Sequence, residues 1–138
     1  MKYYAVLDTN VLVSAMLKAE SVPGLVTAEA LIGDIIPVLN DEIIAEYEDV
    51  LRRPKFKFDK GAVWVLLDDL KRRAVFIDAG PIDDVIPDPK DIVFYSVLME
   101  KRKEDDAYLV TGNLKHFPIK TYIVTPREML DMVKEAGK

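Results

Sequence analysis

Tyr3-Tyr4-Ala5-Val6-Leu7-Asp8-Thr9-Asn10 begins with five apolar or aromatic residues and then stops on a carboxylate followed by two residues able to cap a helix. A run so short and apolar predicts a strand buried on both faces. Asp8 then stands at the carboxyl end of that strand. In a parallel α/β sheet the carboxyl ends share one edge, so acids placed there converge although they lie far apart in sequence.

Similar runs recur at Ile35 to Leu39, Val75 to Ile77, Tyr108 to Val110 and Tyr122 to Val124, most of them short and β-branched. Helical patterns alternate with them: Val11 to Lys18, Gly24 to Ile32, Asp41 to Arg53, Lys60 to Arg73, Ile92 to Lys103 and Arg127 to Glu135. The alternation predicts a three-layer α/β/α fold around a mostly parallel sheet of about five strands. At 138 residues, 50% of them hydrophobic, the chain has the size and core of one domain spanning residues 1–138. No repeat or Gly/Ser linker divides it, and the turn-rich Ala79 to Lys90 is loop-sized.

Composition removes several chemistries. With 24 Asp plus Glu against 19 Lys plus Arg, the formal charge is -5, so any nucleic-acid contact has to be local. Cysteine is absent, which excludes disulfides, thiolate metal sites and a cysteine nucleophile. A single histidine excludes a histidine-rich metal site. The apolar run at Tyr3 to Leu7 is too short for a signal peptide or a membrane span, and the expectation is a soluble cytoplasmic protein without a membrane partner.

Two further stretches set polar groups at element ends: Asp88-Pro89-Lys90-Asp91 before Ile92-Val93-Phe94, and Thr111-Gly112-Asn113 after Tyr108-Leu109-Val110. In the helix from Asp41, Ile43, Tyr47 and Val50 form a stripe that Glu46 flanks, while Glu48 and Asp49 lie further round toward solvent. Each feature has a plain structural reading. Asp8 can cap a helix, Asp88 and Asp91 can form a capping arrangement, Thr111-Gly112-Asn113 can be a turn, and Glu46 can be a solvated side chain. As a set they suggest one acidic pocket, and hard divalent cations such as Mg²⁺ want oxygen ligands of that kind.

The set resembles the PIN domain, a family of metal-dependent ribonucleases, over almost the whole chain. The resemblance is carried by Leu7-Asp8-Thr9-Asn10-Val11-Leu12-Val13-Ser14-Ala15, by Glu46-Tyr47 with Leu51-Arg52-Arg53-Pro54-Lys55-Phe56, by Asp88-Pro89-Lys90-Asp91, and by Val110-Thr111-Gly112-Asn113-Leu114-Lys115-His116-Phe117. It is most similar to the subgroup described as toxins of toxin–antitoxin pairs. By resemblance Asp8, Glu46 and Asp91 match the family's main acidic positions and would bind Mg²⁺ or Mn²⁺, with Thr9, Asp88 and Thr111 as accessories. Many relatives carry aspartate where this chain has Asn113; a neutral amide there would bind or orient water and hold a second metal less firmly. The resemblance also implies an RNA substrate, a small antitoxin partner and room for a homodimer.

RNA would be gripped by Arg53, Lys55 and Lys57, which interleave with Phe56 and Phe58, a pattern that suits single strands. The same residues can equally be lysines beside phenylalanines that anchor a loop. A dehalogenase-type phosphatase wants a second Asp where the chain has Asn10, and a receiver-type phosphoacceptor lacks its paired acid. A catalytically weak PIN fold that binds RNA or protein is the remaining alternative.

Overall fold

The structure, a computed structural model, describes residues 1–137. Its centre is β1 (Tyr3–Leu7), whose last three residues are buried. Beside it run β2 (Ile35–Leu39), β3 (Val75–Phe76), β4 (Ala107–Val110) and β5 (Ile123–Val124), in the order β3-β2-β1-β4-β5. Every pairing is parallel. The expected five-stranded α/β/α fold is therefore present, with β3 and β5 reduced to two residues each.

Six helices cover the sheet: α1 (Thr9–Leu17), α2 (Val22–Ile32), α3 (Asp41–Leu51), α4 (Lys60–Arg73), α5 (Ile92–Arg102) and α6 (Pro126–Ala136). The chain steps outward from β1 through β2 to β3, then returns through α5 to β4 on the other side of β1. Because such crossovers keep one hand, the reversal puts α5 on the opposite face from the helices of the outward path. Accordingly α5 packs on β1, β2 and β4, while α2 packs on β2, α1, α4 and α6. The two strands at the reversal, β1 and β4, leave their carboxyl ends side by side.

Local chemistry sets where the helices start. Asp8 caps α1 by accepting from Thr9 N, so that helix begins at Thr9 rather than at the expected Val11. Ser21 caps α2 through Gly24 N, and Asn40 caps α3 through Ile43 N at 2.9 Å. The α1–α2 turn is tight enough that a Cβ on Gly24 would lie 2.1 Å from the Ala19 carbonyl oxygen. Thr125 and Glu128 close a capping box on α6. Among the described residues no single helix is long and apolar enough to cross a membrane.

Tyr47 ties α3 to the sheet. Its ring is buried against Phe94 of α5, and its hydroxyl donates to the Leu7 carbonyl at 2.5 Å, one residue before Asp8. Tyr47→Phe removes the donor and should cost about 1–2 kcal/mol, measured as a lower urea midpoint with an unchanged slope.

Candidate functional site

The site grows from the β1–β4 pair. Leu7 lies opposite Val110, and Asp8 N donates to Val110 O at 2.9 Å, which sets Thr111 beside Asp8. The Asp8 carboxylate is buried and held from three sides. Its Oδ1 accepts from Thr9 N at 2.8 Å, and its Oδ2 accepts from Thr111 Oγ1 at 2.8 Å and from Asn10 Nδ2 at 3.3 Å. Burial nevertheless raises its carboxyl above the usual range, against the lowering effect of Thr111, Thr9 and the nearby His116.

Asp91 arrives from the other side of the pocket. Asp88 caps a single 3₁₀ turn, Pro89–Asp91, by accepting from Lys90 N at 3.0 Å. α5 then begins at Ile92, and Asp91 makes no side-chain cap bond to it. The capping reading is half met, with Asp88 as cap and Pro89 behind it, while Asp91 makes no cap bond and its carboxylate is left for the pocket. Its Oδ2 is buried, and beside it lies His116, whose Nδ1 is 3.2 Å away without completing a hydrogen bond. Burial first, and then the charges of Asp8 and Asp88, push the Asp91 carboxyl up to about 6, with His116 pulling the other way.

A cavity of roughly 210 Å³ collects these groups, lined by Asp8, Thr9, Asn10, Glu46, Arg53, Asp88, Lys90, Asp91 and His116 with Val50 and Phe94. Glu46 reaches it half-buried from α3, as its place beside the apolar stripe predicts, while Glu48 and Asp49 pair with Arg52 and Arg53 outside. Thr9 is buried and its Oγ1 has no partner. Thr111 is not in the wall; it holds Asp8 from behind.

Other expected site residues stand elsewhere. Asn113 lines a separate cavity with Asn10, Ser14 and Gly112, and its Nδ2 is 2.9 Å from His116 Nε2. Arg53 reaches the pocket but is paired with Asp49 at 3.1 Å. Lys55 and Lys57 are exposed and outside the pocket. Lys55 lies over the Phe56 ring, which stacks on Phe58 at 5.2 Å between centroids.

His116, Asn10, Lys90 and Tyr47 lie within the motifs, but spacing alone marks none of them as a site residue. For His116 a signal exists: Asn113 and His116 are three residues apart around a 3₁₀ turn, Leu114–His116, where such positions eclipse.

Among the described residues no three His, Cys, Asp or Glu side chains form a ready-made metal site. The pair of mutually repelling carboxylates, with one buried and unpartnered oxygen, does fit a hard cation of the Mg²⁺ kind, which keeps several waters and needs only one or two protein carboxylates. A family model described as PIN domain matches residues 4–115, a stretch that contains all four of Asp8, Glu46, Asp91 and Asn113. No curated protein matches the chain.

The raised carboxyl has a signed consequence for stability. The folded protein holds a proton on Asp91 between the ordinary value of 3.8 and about 6, where the unfolded chain has released it. Its contribution to stability is therefore present at low pH and lost as pH rises through about 6. With chelator present, Asp91→Asn should melt higher than the wild type at pH 7.5, and the difference should shrink toward pH 4. A variant that melts lower at pH 7.5 would mean that the charge on Asp91 is not under strain.

Proposed function

The chain belongs to the PIN domain family, a family of nucleases, and from that premise we propose that it is a metal-dependent endoribonuclease, the toxin of a toxin–antitoxin pair acting in the cytoplasm. The observation that carries the nuclease reading is the meeting of Asp8 with Asp91 and its unpartnered buried oxygen in one pocket. Asp8 and Asp91 would hold Mg²⁺ or Mn²⁺, and Glu46 would reach the same ion through water. The bound cation supplies charge neutralisation on the phosphoryl oxygens and activation of the attacking water.

The chain's own groups do the rest. Thr9 N, Thr111 and Asn10 fix the Asp8 carboxylate so that it cannot turn away from Asp91. Glu46 enters no ion pair among the described residues and is free to orient a water against the scissile phosphate. The Asp88 turn holds Asp91 at the start of α5, where the helix N-terminus favours its anionic form and offsets part of the repulsion from Asp8. His116 lies in the same pocket with its Nδ1 3.2 Å from Asp91 and its Nε2 2.9 Å from Asn113 Nδ2, and would hold the Asp91 carboxylate in place.

The exposed Lys55 and Lys57 flanking the Phe56–Phe58 stack support an RNA grip beyond the pocket, by phosphate contact and base stacking. The toxin assignment rests on the Glu46-Tyr47 to Phe56 resemblance and brings with it a small antitoxin protein and assembly as a homodimer. The alternative of a binding module without catalysis draws on one fact, that Asn113 lies outside the pocket where the family places a fourth acid.

Cleavage of single-stranded RNA by the purified chain should require Mg²⁺ or Mn²⁺ and stop with chelator. Asp8→Asn or Asp91→Asn should lower the rate by about a hundredfold or more with folding retained. Asn113→Ala should cost no more than about tenfold, and Asn113→Asp should leave metal affinity nearly unchanged because the side chain faces His116. Metal titration followed by melting temperature and by cleavage rate checks all four variants; cleavage that survives chelator would sink the metal mechanism.

Lys55→Ala combined with Lys57→Ala should weaken RNA binding and reduce the slope of log affinity against log salt by about 1.4, leaving metal affinity as it was. Binding measured from low to moderate salt reads both effects. An unchanged slope would return the segment to a structural role.

A further inference from the structure

The acid pocket does not stand alone. It shares Glu46 and Lys90 with a groove of roughly 550 Å³. From a different wall it shares Asn10 with a smaller cavity of roughly 260 Å³. We propose that a single RNA strand crosses the acid pocket with one nucleotide in each flanking cavity, and that the groove beside Glu42 selects the base that enters it. The inference rests on the ribonuclease reading and adds to it where bases are chosen and by what chemistry.

The groove is built for a base and against a phosphate. Ala79, Pro89, Ile92 and Val93 give it apolar surface on which an aromatic ring can lie, while Glu42 and Glu46 project from α3 along one side. Neither glutamate enters an ion pair among the described residues, and a carboxylate can only accept hydrogen bonds. Two such groups repel the backbone phosphate and leave the groove to the base.

They also discriminate among bases. Guanine presents adjacent N–H donors on its Watson–Crick edge, a match for a carboxylate, and adenine and cytosine each present an amino group. Uracil sets two carbonyls around one N–H and is the base that a carboxylate-lined groove rejects most. These edges are free only in an unpaired strand. Lys90, exposed and without an ion pair among the described residues, sits where groove and acid pocket meet and can take the phosphate that joins the two nucleotides.

The smaller cavity has a different character. Gly112 N donates to Asn10 Oδ1 at 3.1 Å and fixes its wall, while the Ser14 hydroxyl and the Asn113 carbonyl oxygen remain unengaged among the described residues. A hydroxyl gives and takes hydrogen bonds, so this side tolerates any base. Selectivity is thus expected on one side of the cut only.

The test is to cleave a pool of short single-stranded RNAs, randomised around the cut, and to sequence the products. Wild-type protein should favour guanosine over uridine at one position on one side. Glu42→Gln, at an exposed residue outside the acid pocket, supplies an amide that both accepts and donates and should reduce that preference about fivefold. Ser14→Val narrows the smaller cavity and should change tolerance on the opposite side of the cut; melting curves of both variants check the fold. A profile that Glu42→Gln leaves unchanged, or a change on the same side in both variants, overturns the strand path while the nuclease reading stands. Failure of the wild type to cut any RNA overturns both.

Discussion

The parallel pairing of β1 with β4 is the contact on which the site depends. It joins segments about a hundred residues apart, and the bond from Asp8 N to Val110 O continues it one residue past the strand. That extra step puts the Thr111 hydroxyl on the Asp8 carboxylate. The register sets Ala5 against Tyr108, Val6 against Leu109 and Leu7 against Val110, and Ala5, Val6, Leu7, Leu109 and Val110 are all buried in it. The apolar pattern of two strands therefore also positions the polar groups that follow them.

The pocket is held against its own electrostatics. Asp8 and Asp91 would each be more stable in water, and burial raises both carboxyls. What keeps them together is packing elsewhere: Tyr47 between Leu7 and Phe94, the capped turn at Asp88, and α5 seated on three strands. Strain kept at a polar site by surrounding apolar contacts is what a ligand of opposite charge would relieve, so the arrangement that costs stability in the free protein is the one on which the proposed cation binding draws.

Much of this was legible in the residues. The strand and helix alternation appears almost as read, because runs buried on both faces and amphipathic stripes are written directly in local composition. Glu46 was legible too, since its angle on the α3 wheel relative to Ile43 and Tyr47 decides which acid of that helix faces inward. Errors cluster at ends. α1 starts two residues early because Asp8 is its cap, and α6 starts at Pro126 because Thr125 and Glu128 close a box, both of them side-chain bonds that periodicity does not register.

By itself the sequence determined the fold class, the edge of the sheet where polar groups gather, and the family, since each depends on local pattern and motif order. Only the tertiary structure decided which of those polar groups meet. Asn113 follows β4 only two residues after Thr111, yet the backbone bends at Gly112 and its side chain lies against His116 instead of the acids. Asp91 looks like half of a capping box, yet a 3₁₀ turn takes the cap at Asp88 and leaves Asp91 to the pocket. The physical reason is the same in both cases. A side chain's direction at a turn is set by one or two backbone torsions and by a partner distant in the chain, and neither leaves a trace in spacing or hydrophobic period.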